Sequence, residues 1–346
     1  MAIKDADKSA RLVAGLSVYD ASILAVVGPT GSGKSDFADA LAASIGGEVV
    51  SADSMQVYRG MDIGTAKVPP KARSVPYHCI DLVDPNETFT AALYQRAARA
   101  AIEDILSRGK VPVVCGGTGL YIRAALDDFK LDEGRGDGSG GADGAGGVKG
   151  DSGSPGGLED DGGKNITESD CKRDKLREDL KQQAEDMGAE RFHAMLAERD
   201  PKSAALIHPN NVRRVIRAFE LLEQGSSYAK QHEGFSAFKP YYDGVLYVGL
   251  GMPREELYRR VNARVDNMVA RGLLDEVKSL ADAGFADALT AKQAIGYKEL
   301  LPVLRGSAQL DDAVRQIKQS TRRYAKRQLT WFRRDKRIIW INASER

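Results

Sequence analysis

The residues best suited to chemistry are Gly28-Pro29-Thr30-Gly31-Ser32-Gly33-Lys34-Ser35, which fit G-x-x-x-x-G-K-[ST] at every fixed position. In that spacing the glycines let backbone N–H groups converge on phosphate oxygens, and the N-terminus of a following helix adds positive potential. Lys34 would bring a point charge to the terminal phosphates and Ser35 a hydroxyl to Mg2+. A di- or triphosphate belongs at this loop, but the motif does not say whether it is ATP. Asp53 is a second candidate, a carboxylate closing the short run Glu48-Val49-Val50-Ser51-Ala52. Thr118 is a third, set in the glycine turn Gly116-Gly117-Thr118-Gly119. A tight turn that simply needs glycine accounts for that segment equally well. Cations that could meet an anionic partner fall at Arg213, Arg214 and Arg217, at Arg254 and Arg260, and along Arg322 to Arg337. An ordinary solvated basic face is the competing reading of each group.

The surrounding pattern supplies elements to position these residues. An apolar run, Ile23 to Val27, leads into the phosphate loop as a strand, and Phe37, Ala38, Leu41, Ala42 and Ile45 share one face of the helix that follows. Further strands are predicted at Glu48 to Asp53, Val75 to Val83, Val111 to Cys115, Gly244 to Leu250 and Ile338 to Ile341. Helices are predicted over Thr90 to Arg108, through Leu126, over about Cys171 to Glu198, over Asn211 to Leu222, from Pro253 onward, and over Asp311 to about Arg334. Strands alternating with helices predict an α/β fold with a parallel sheet, whose strand carboxyl ends gather ligand-binding residues. That rule sets Asp53 and Thr118 beside the phosphate loop. His78 reads as a hydrogen-bonded core or edge histidine, and Cys115 as core. In the last helix Trp331 or Phe332 is expected to pack and the arginines to meet phosphates.

The chain's 346 residues suit one large domain or two. A formal net charge of +1 gives no global field that would mark a nucleic-acid partner, so any such signal is local. Cys79, Cys115 and Cys171 form no C-x-x-C pair and make an odd count, which argues against a disulfide framework or a zinc site and for a reducing, cytoplasmic setting. No window is long and apolar enough to span a membrane. Residues 1–21 read as an extension rather than a signal peptide, with Asp5, Asp7 and Asp20 interrupting any apolar core. Between Gly134 and Gly163, 14 of 30 residues are glycine and none is aromatic, which predicts a flexible linker or expanded surface loop. The expected division is a core over 22–130 and 200–346, interrupted by an insertion over 131–199 that is glycine-rich first and helical from 168.

Taken as a set, Ser51-Ala52-Asp53-Ser54, Tyr58-Arg59-Gly60-Met61-Asp62-Ile63-Gly64-Thr65-Ala66-Lys67, Gly116-Gly117-Thr118-Gly119-Leu120-Tyr121, Ala294-Ile295-Gly296-Tyr297 and Arg323-Tyr324-Ala325-Lys326-Arg327-Gln328 resemble the tRNA dimethylallyltransferase family, the bacterial tRNA isopentenyltransferases. The resemblance covers roughly residues 22 to 340. The glycine-rich stretch, where the family usually has a short connection, and the N-terminal extension depart from it. The resemblance implies a P-loop NTPase-like parallel sheet flanked by helices, with a mainly helical insertion domain. It implies transfer of a dimethylallyl group from dimethylallyl diphosphate to the exocyclic N6 amine of the adenosine next to the anticodon of tRNA, by a monomer needing Mg2+. On that pattern Gly28, Pro29, Thr30, Gly31, Ser32, Gly33, Lys34 and Ser35 hold the diphosphate, with Ser35 on the metal and Arg254 and Arg260 approaching the same group. Asp53 matches the base and Thr118 the residue that meets the target nucleotide; Lys34 and Arg260 join them in catalysis. Asp53, Ser54, Met55, Gln56, Thr118, Arg177, Arg213, Arg214, Val215, Ile216 and Arg217 match tRNA-contacting positions.

Three other readings compete. In an ATP-dependent small-molecule kinase, Asp53 would hold the metal of a nucleotide site. An adenylate isopentenyltransferase would prenylate free adenine nucleotides. Neither has a use for the basic helices. A non-enzymatic RNA-binding module would leave the phosphate loop and Asp53 without a role.

Overall fold

The computed structural model describes residues 21–129, 131, 168–285, 288 and 290–345. The N-terminal extension short of residue 21 and the glycine-rich stretch at 134–163 lie outside the described residues. Six strands, β1 (Ile23–Val27), β2 (Glu48–Ser51), β3 (Tyr77–His78), β4 (Pro112–Gly116), β5 (Val245–Gly251) and β6 (Ile338–Asn342), form one sheet in the order β3-β2-β4-β1-β5-β6. Every pairing is parallel. A parallel sheet is covered on both faces, which is why β1 and β4 are continuous apolar runs, buried along their whole length, rather than alternating ones. α1 (Lys34–Ile45) follows β1 and packs Phe37, Ala38, Leu41 and Ala42 against Leu24, Val26, Val49 and Val113. α2 (Ala91–Ser107) starts where the Thr90 side chain accepts a hydrogen bond from Leu93 N, and α3 (Gly119–Leu126) follows β4.

The chain divides into two compact units, one of Met1–Asp128, Gly136–Ala142 and Pro240–Arg346 and one of Phe129–Arg135 and Asp143–Lys239. The first holds the sheet together with α1 to α3. It also holds α9 (Arg254–Ala270), α10 (Leu273–Asp282), α11 (Tyr297–Leu304) and α12 (Leu310–Phe332). The second is helical: α4 (Glu168–Met187), α5 (Ala189–Arg199), α6 (Pro201–Leu206), α7 (Val212–Glu223) and α8 (Tyr228–Ser236). Its core gathers Leu180, Ala184, Phe192, Leu196, Val215 and Phe219, with the two phenylalanine rings 5.1 Å apart.

Several expectations are corrected here. The insertion does not end at residue 199: α6, α7 and α8 bury Ala204, Ile207, Phe219 and Tyr228 in the core of the helical unit, so the boundary falls between Lys239 and Pro240. The predicted helix from Cys171 to Glu198 is two helices, broken at Gly188, whose φ of 80° ends α4 and starts α5. The strand expected from Val75 to Val83 pairs only at Tyr77–His78, because Cys79 and Asp81 take positive φ values of 60° and 55° and turn the chain out of the ladder. β2 stops at Ser51, two residues before Asp53.

Candidate active site at the strand carboxyl ends

The sheet register brings the chemistry together. Val27 pairs with Gly116, and Ser51 with Cys115, so the segments that leave β1, β2 and β4 emerge side by side. A methyl group on Gly116 would run into the carbonyl of Ala52. A Cβ on Gly28, at φ 151°, would lie 2.8 Å from the Leu250 carbonyl of β5. Gly33 sits at the N-cap of α1 with φ 79° and contributes no side-chain cap, so the first turn of that helix is left to line the cleft with its own backbone.

A cleft of about 630 Å³ opens beside this turn. Gly31, Gly33, Lys34 and Ser35 form one wall, Ala66 to Pro69 another, and Arg264 of α9 faces them. Burial lowers the Lys34 pKa, and Arg264 lowers it further, while Asp53 acts in the opposite direction. Burial likewise lowers the Arg264 pKa against the pull of Asp53 and Asp36, although a guanidinium stays charged through the physiological range. Two desolvated cations facing one cradle favour an anion of more than one charge.

Asp53 accepts a hydrogen bond from Met55 N at 2.9 Å, which fixes the plane of its carboxylate. Thr118 stands at the N-cap of α3 and accepts from Ser54 N at 3.1 Å, while its own N–H donates to Ala52 O at 3.2 Å. Asp53 and Thr118 are therefore joined through adjacent backbone. Tyr324 of α12 belongs to the same cluster: burial pushes its hydroxyl up to about 12, Asp53 adds to the rise, and hydrogen bonds with Thr118 and Gln328 oppose it. Gln328, 5% exposed, accepts from Thr30 N at 2.8 Å and donates to Gly117 O at 2.9 Å.

The loop over 53–67 is braced from within. Gln56 accepts from Ser51 Oγ at 2.9 Å and donates to Thr65 O at 3.3 Å. Lys67, buried, donates to Tyr58 O at 2.6 Å and to Asp62 at 2.8 Å. Glu276 of α10 accepts from three successive backbone donors, Asp62 N, Ile63 N and Gly64 N, at 3.0, 2.7 and 3.1 Å, and from the Tyr297 hydroxyl at 2.6 Å. The brace ends at the cleft, where Thr65 O accepts from Arg264 Nη2 at 3.4 Å.

The other sequence-predicted residues are placed less centrally. Arg254 is exposed, its guanidinium 5.0 Å from the Tyr258 ring centroid. Arg260 donates to Glu256 at 2.6 Å. Neither lines the cleft; Arg264, one turn beyond Arg260, does. Val215 and Ile216 are corrected outright as tRNA-contacting side chains: at 0% and 5% exposure they belong to the core of the helical unit. On the same helix Arg213 is exposed, and Arg217 shares Glu220 with Arg177 of α4 at 3.3 and 3.2 Å. Arg323, Lys326 and Arg327 on α12 and Arg333 and Arg334 just past its end are exposed, Phe332 is buried, and a Cβ on Gly119 would strike the Trp331 indole, so both aromatics pack. His78 is the edge-strand histidine expected, bonded to Glu48 at 2.8 Å.

Sequence reasoning missed Arg264, Gln328 and Glu276 as working residues. Gln328 carried a usable signal, being a polar residue in register with the buried stripe Ala313, Ile317, Ala325 and Phe332.

Among the described residues no group of three or more His, Cys, Asp or Glu side chains could hold a metal ion by itself. The Ser35 hydroxyl and Asp36 carboxylate in the cleft are nonetheless hard oxygen donors of the kind that take Mg2+ together with phosphate oxygens.

A profile of the IPP transferase family matches residues 56–335, and one of the isopentenyl transferase family matches residues 21–73. The chain is 43% identical over 325 residues to the tRNA dimethylallyltransferase of Geobacillus thermodenitrificans, covering 93% of this chain and 91% of the relative. It is 42% identical over 321 residues to that of Bacillus subtilis, covering 92% and 90%. Among solved structures it is similar to the full-length tRNA isopentenylpyrophosphate transferase of Bacillus halodurans, with a TM-score of 0.61, 39% identity and coverage of 93% and 90%. A eukaryotic dimethylallyltransferase captured acting on tRNA gives a TM-score of 0.68 at 29% identity, covering 93% of this chain and 73% of that one.

Proposed function

The chain belongs to the IPP transferase family of tRNA dimethylallyltransferases, and from that premise we propose how its crevice performs the transfer. The protein is a prenyltransferase that moves a dimethylallyl group onto tRNA. The observation that carries the residue assignments is the convergence of a diphosphate-type cradle, two desolvated cations and a fixed carboxylate at the carboxyl ends of neighbouring strands.

In this reading the phosphate loop holds the diphosphate of dimethylallyl diphosphate as a leaving group rather than ATP. The allylic C–O bond breaks, and its electron pair leaves with the diphosphate, whose growing charge meets Lys34, Arg264 and the N-terminal turn of α1. The new bond forms between that carbon and the exocyclic N6 amine of the adenosine next to the anticodon. An adenine amine is a weak nucleophile because its lone pair is delocalised into the ring, so a carboxylate that takes its proton assists directly. Asp53 is that base, with Met55 N holding the carboxylate in place. Thr118 lies where the acceptor nucleotide enters. Mg2+, when bound at Ser35, supplies further neutralisation of the leaving group. The adenine has to leave the anticodon-loop stack to reach Asp53. The exposed cations of α12 suit tRNA phosphates, as do Arg213 and its neighbours on α7. Among the described residues no helix is long and apolar enough to cross a membrane.

The test is incubation with labelled dimethylallyl diphosphate and either unmodified tRNA or adenine nucleotide. Label is expected in tRNA alone. Label in the free nucleotide alone would favour the second profile match, to isopentenyl transferases over residues 21–73, and no label in tRNA would overturn the reading.

A further inference from the structure

We propose that Gln328 is a positioning residue for group transfer: its side-chain amide ties the diphosphate loop to the acceptor-side glycine turn and so sets the spacing between the two reacting partners. The inference rests on the reading of the crevice given under Proposed function. Thr30, whose N–H donates to Gln328 Oε1, belongs to the loop that holds the leaving group. Gly117, whose carbonyl accepts from Gln328 Nε2, immediately precedes Thr118. Thr118 in turn accepts from Ser54 N, next to Asp53. One buried amide thus spans from the departing diphosphate to the base and acceptor side.

Apart from the Tyr324 hydroxyl, its two partners are main-chain groups, so the amide fixes the course of two backbones. The site is also closed around it, since a Cβ on Gly117 would run into Gln328 Nε2. The two partners demand opposite capacities: Thr30 N–H needs an acceptor and Gly117 C=O needs a donor. A primary amide offers both on one planar group, as does a neutral carboxylic acid of the same length; an ionised carboxylate offers only the first. Reacting atoms have to approach within about 3–3.5 Å, and a misplacement of about 1 Å costs on the order of 10²-fold in rate. A cross-tie between the two sides of the reaction is therefore worth far more to the rate than to either binding step.

The test uses the full chain carrying Q328M, which keeps the length but removes both polar atoms, and Q328E. Single-turnover transfer by Q328M is expected to fall roughly 10²-fold, while the Kd for inorganic diphosphate and for unmodified tRNA each stay within about threefold. For Q328E the rate relative to the unaltered protein is expected to rise as pH falls, because the protonated side chain regains the donor that Gly117 O needs. Division by the unaltered protein's rate removes from that profile every titration the two proteins share. Should Q328M fail to fold, as judged by its melt, the Q328E profile alone decides. A Q328M rate within about threefold of normal, or a loss matched by equal loss of diphosphate or tRNA affinity, would overturn the inference. A pH-independent ratio for Q328E would do the same. If the unaltered protein transfers nothing to tRNA, it is the underlying reading of the crevice that fails.

Discussion

Replacing Arg264 by glutamine is expected to damage use of dimethylallyl diphosphate far more than the same change at Arg254 or Arg260. Arg264 lines the cleft opposite Lys34 and is desolvated, whereas Arg254 is exposed against Tyr258 and Arg260 is half-neutralised by Glu256. Opposite unit charges about 4 Å apart interact by roughly 4 kcal/mol at the effective dielectric of a partly buried site and by about 1 kcal/mol in water. The first corresponds to about 10³-fold and the second to about fivefold in affinity. One adjustment lowers the first figure. Arg264 depresses the Lys34 pKa, so its removal leaves Lys34 more readily protonated and better able to compensate. The expected loss in kcat/KM for dimethylallyl diphosphate, at saturating tRNA, is therefore about 10²–10³-fold for R264Q and under about tenfold for R254Q, with R260Q between them. The KM for tRNA should move little in R264Q. Equal damage from R254Q and R264Q, or an R264Q enzyme within about threefold of normal, would refute the argument from burial.

Three further outcomes follow from the geometry. Asp53→Asn is expected to lower transfer by about 10²–10⁴-fold while tRNA still binds, as measured by single-turnover rate and filter binding. Glu276→Gln sets an amide NH2 where backbone donors need an acceptor, and bonds to a charged group carry about 1.5–3 kcal/mol each; the melting temperature should fall by several degrees and trypsin should cut at Arg59 or Lys67 sooner. Glu48 is 1% exposed, and the Arg108 guanidinium, with Lys110 and His78, holds its carboxyl well below the usual carboxylate range. Its folded pKa lies below the unfolded value near 4.3, so its stabilisation is complete above that pH and is lost as pH falls toward the folded value. Glu48→Gln should therefore flatten the acid limb of a melting-temperature profile below about pH 4.5.

Much of the core was legible because its signals are local. The phosphate loop requires glycines at fixed steps, and the apolar runs of β1 and β4 announce a sheet buried on both faces. The positions of Asp53 and of the glycine turn around Thr118 followed from the rule that strand carboxyl ends gather the site, whereas their roles came from the family resemblance; the register of β1, β2 and β4 brings both beside the loop. What could not be read were choices decided by tertiary packing. Arg260 and Arg264 are one turn apart on α9, and only the packing of that helix over Gly31, where Val261 would meet an added Cβ at 3.0 Å, settles which arginine faces the cleft. Val215 and Ile216 lie among arginines in sequence, yet helical rotation sends them inward. The reach of the helical insertion to Lys239 was hidden because α6 and α8 are too short to show a period of their own.

The chain leaves the sheet-bearing unit after Asp128 and re-enters it at Pro240, and Asp127 and Pro240 pair as an antiparallel bridge, with Tyr241 N donating to Leu126 O at 2.9 Å. The two severed ends of the core are thus stitched to each other like the stem of a hairpin whose loop is the whole helical unit. Lengthening the chain beyond such a stem costs little, since closure entropy grows only with the logarithm of loop length. The stitch lies wholly within the sheet-bearing unit and sets the path by which the chain returns to β5.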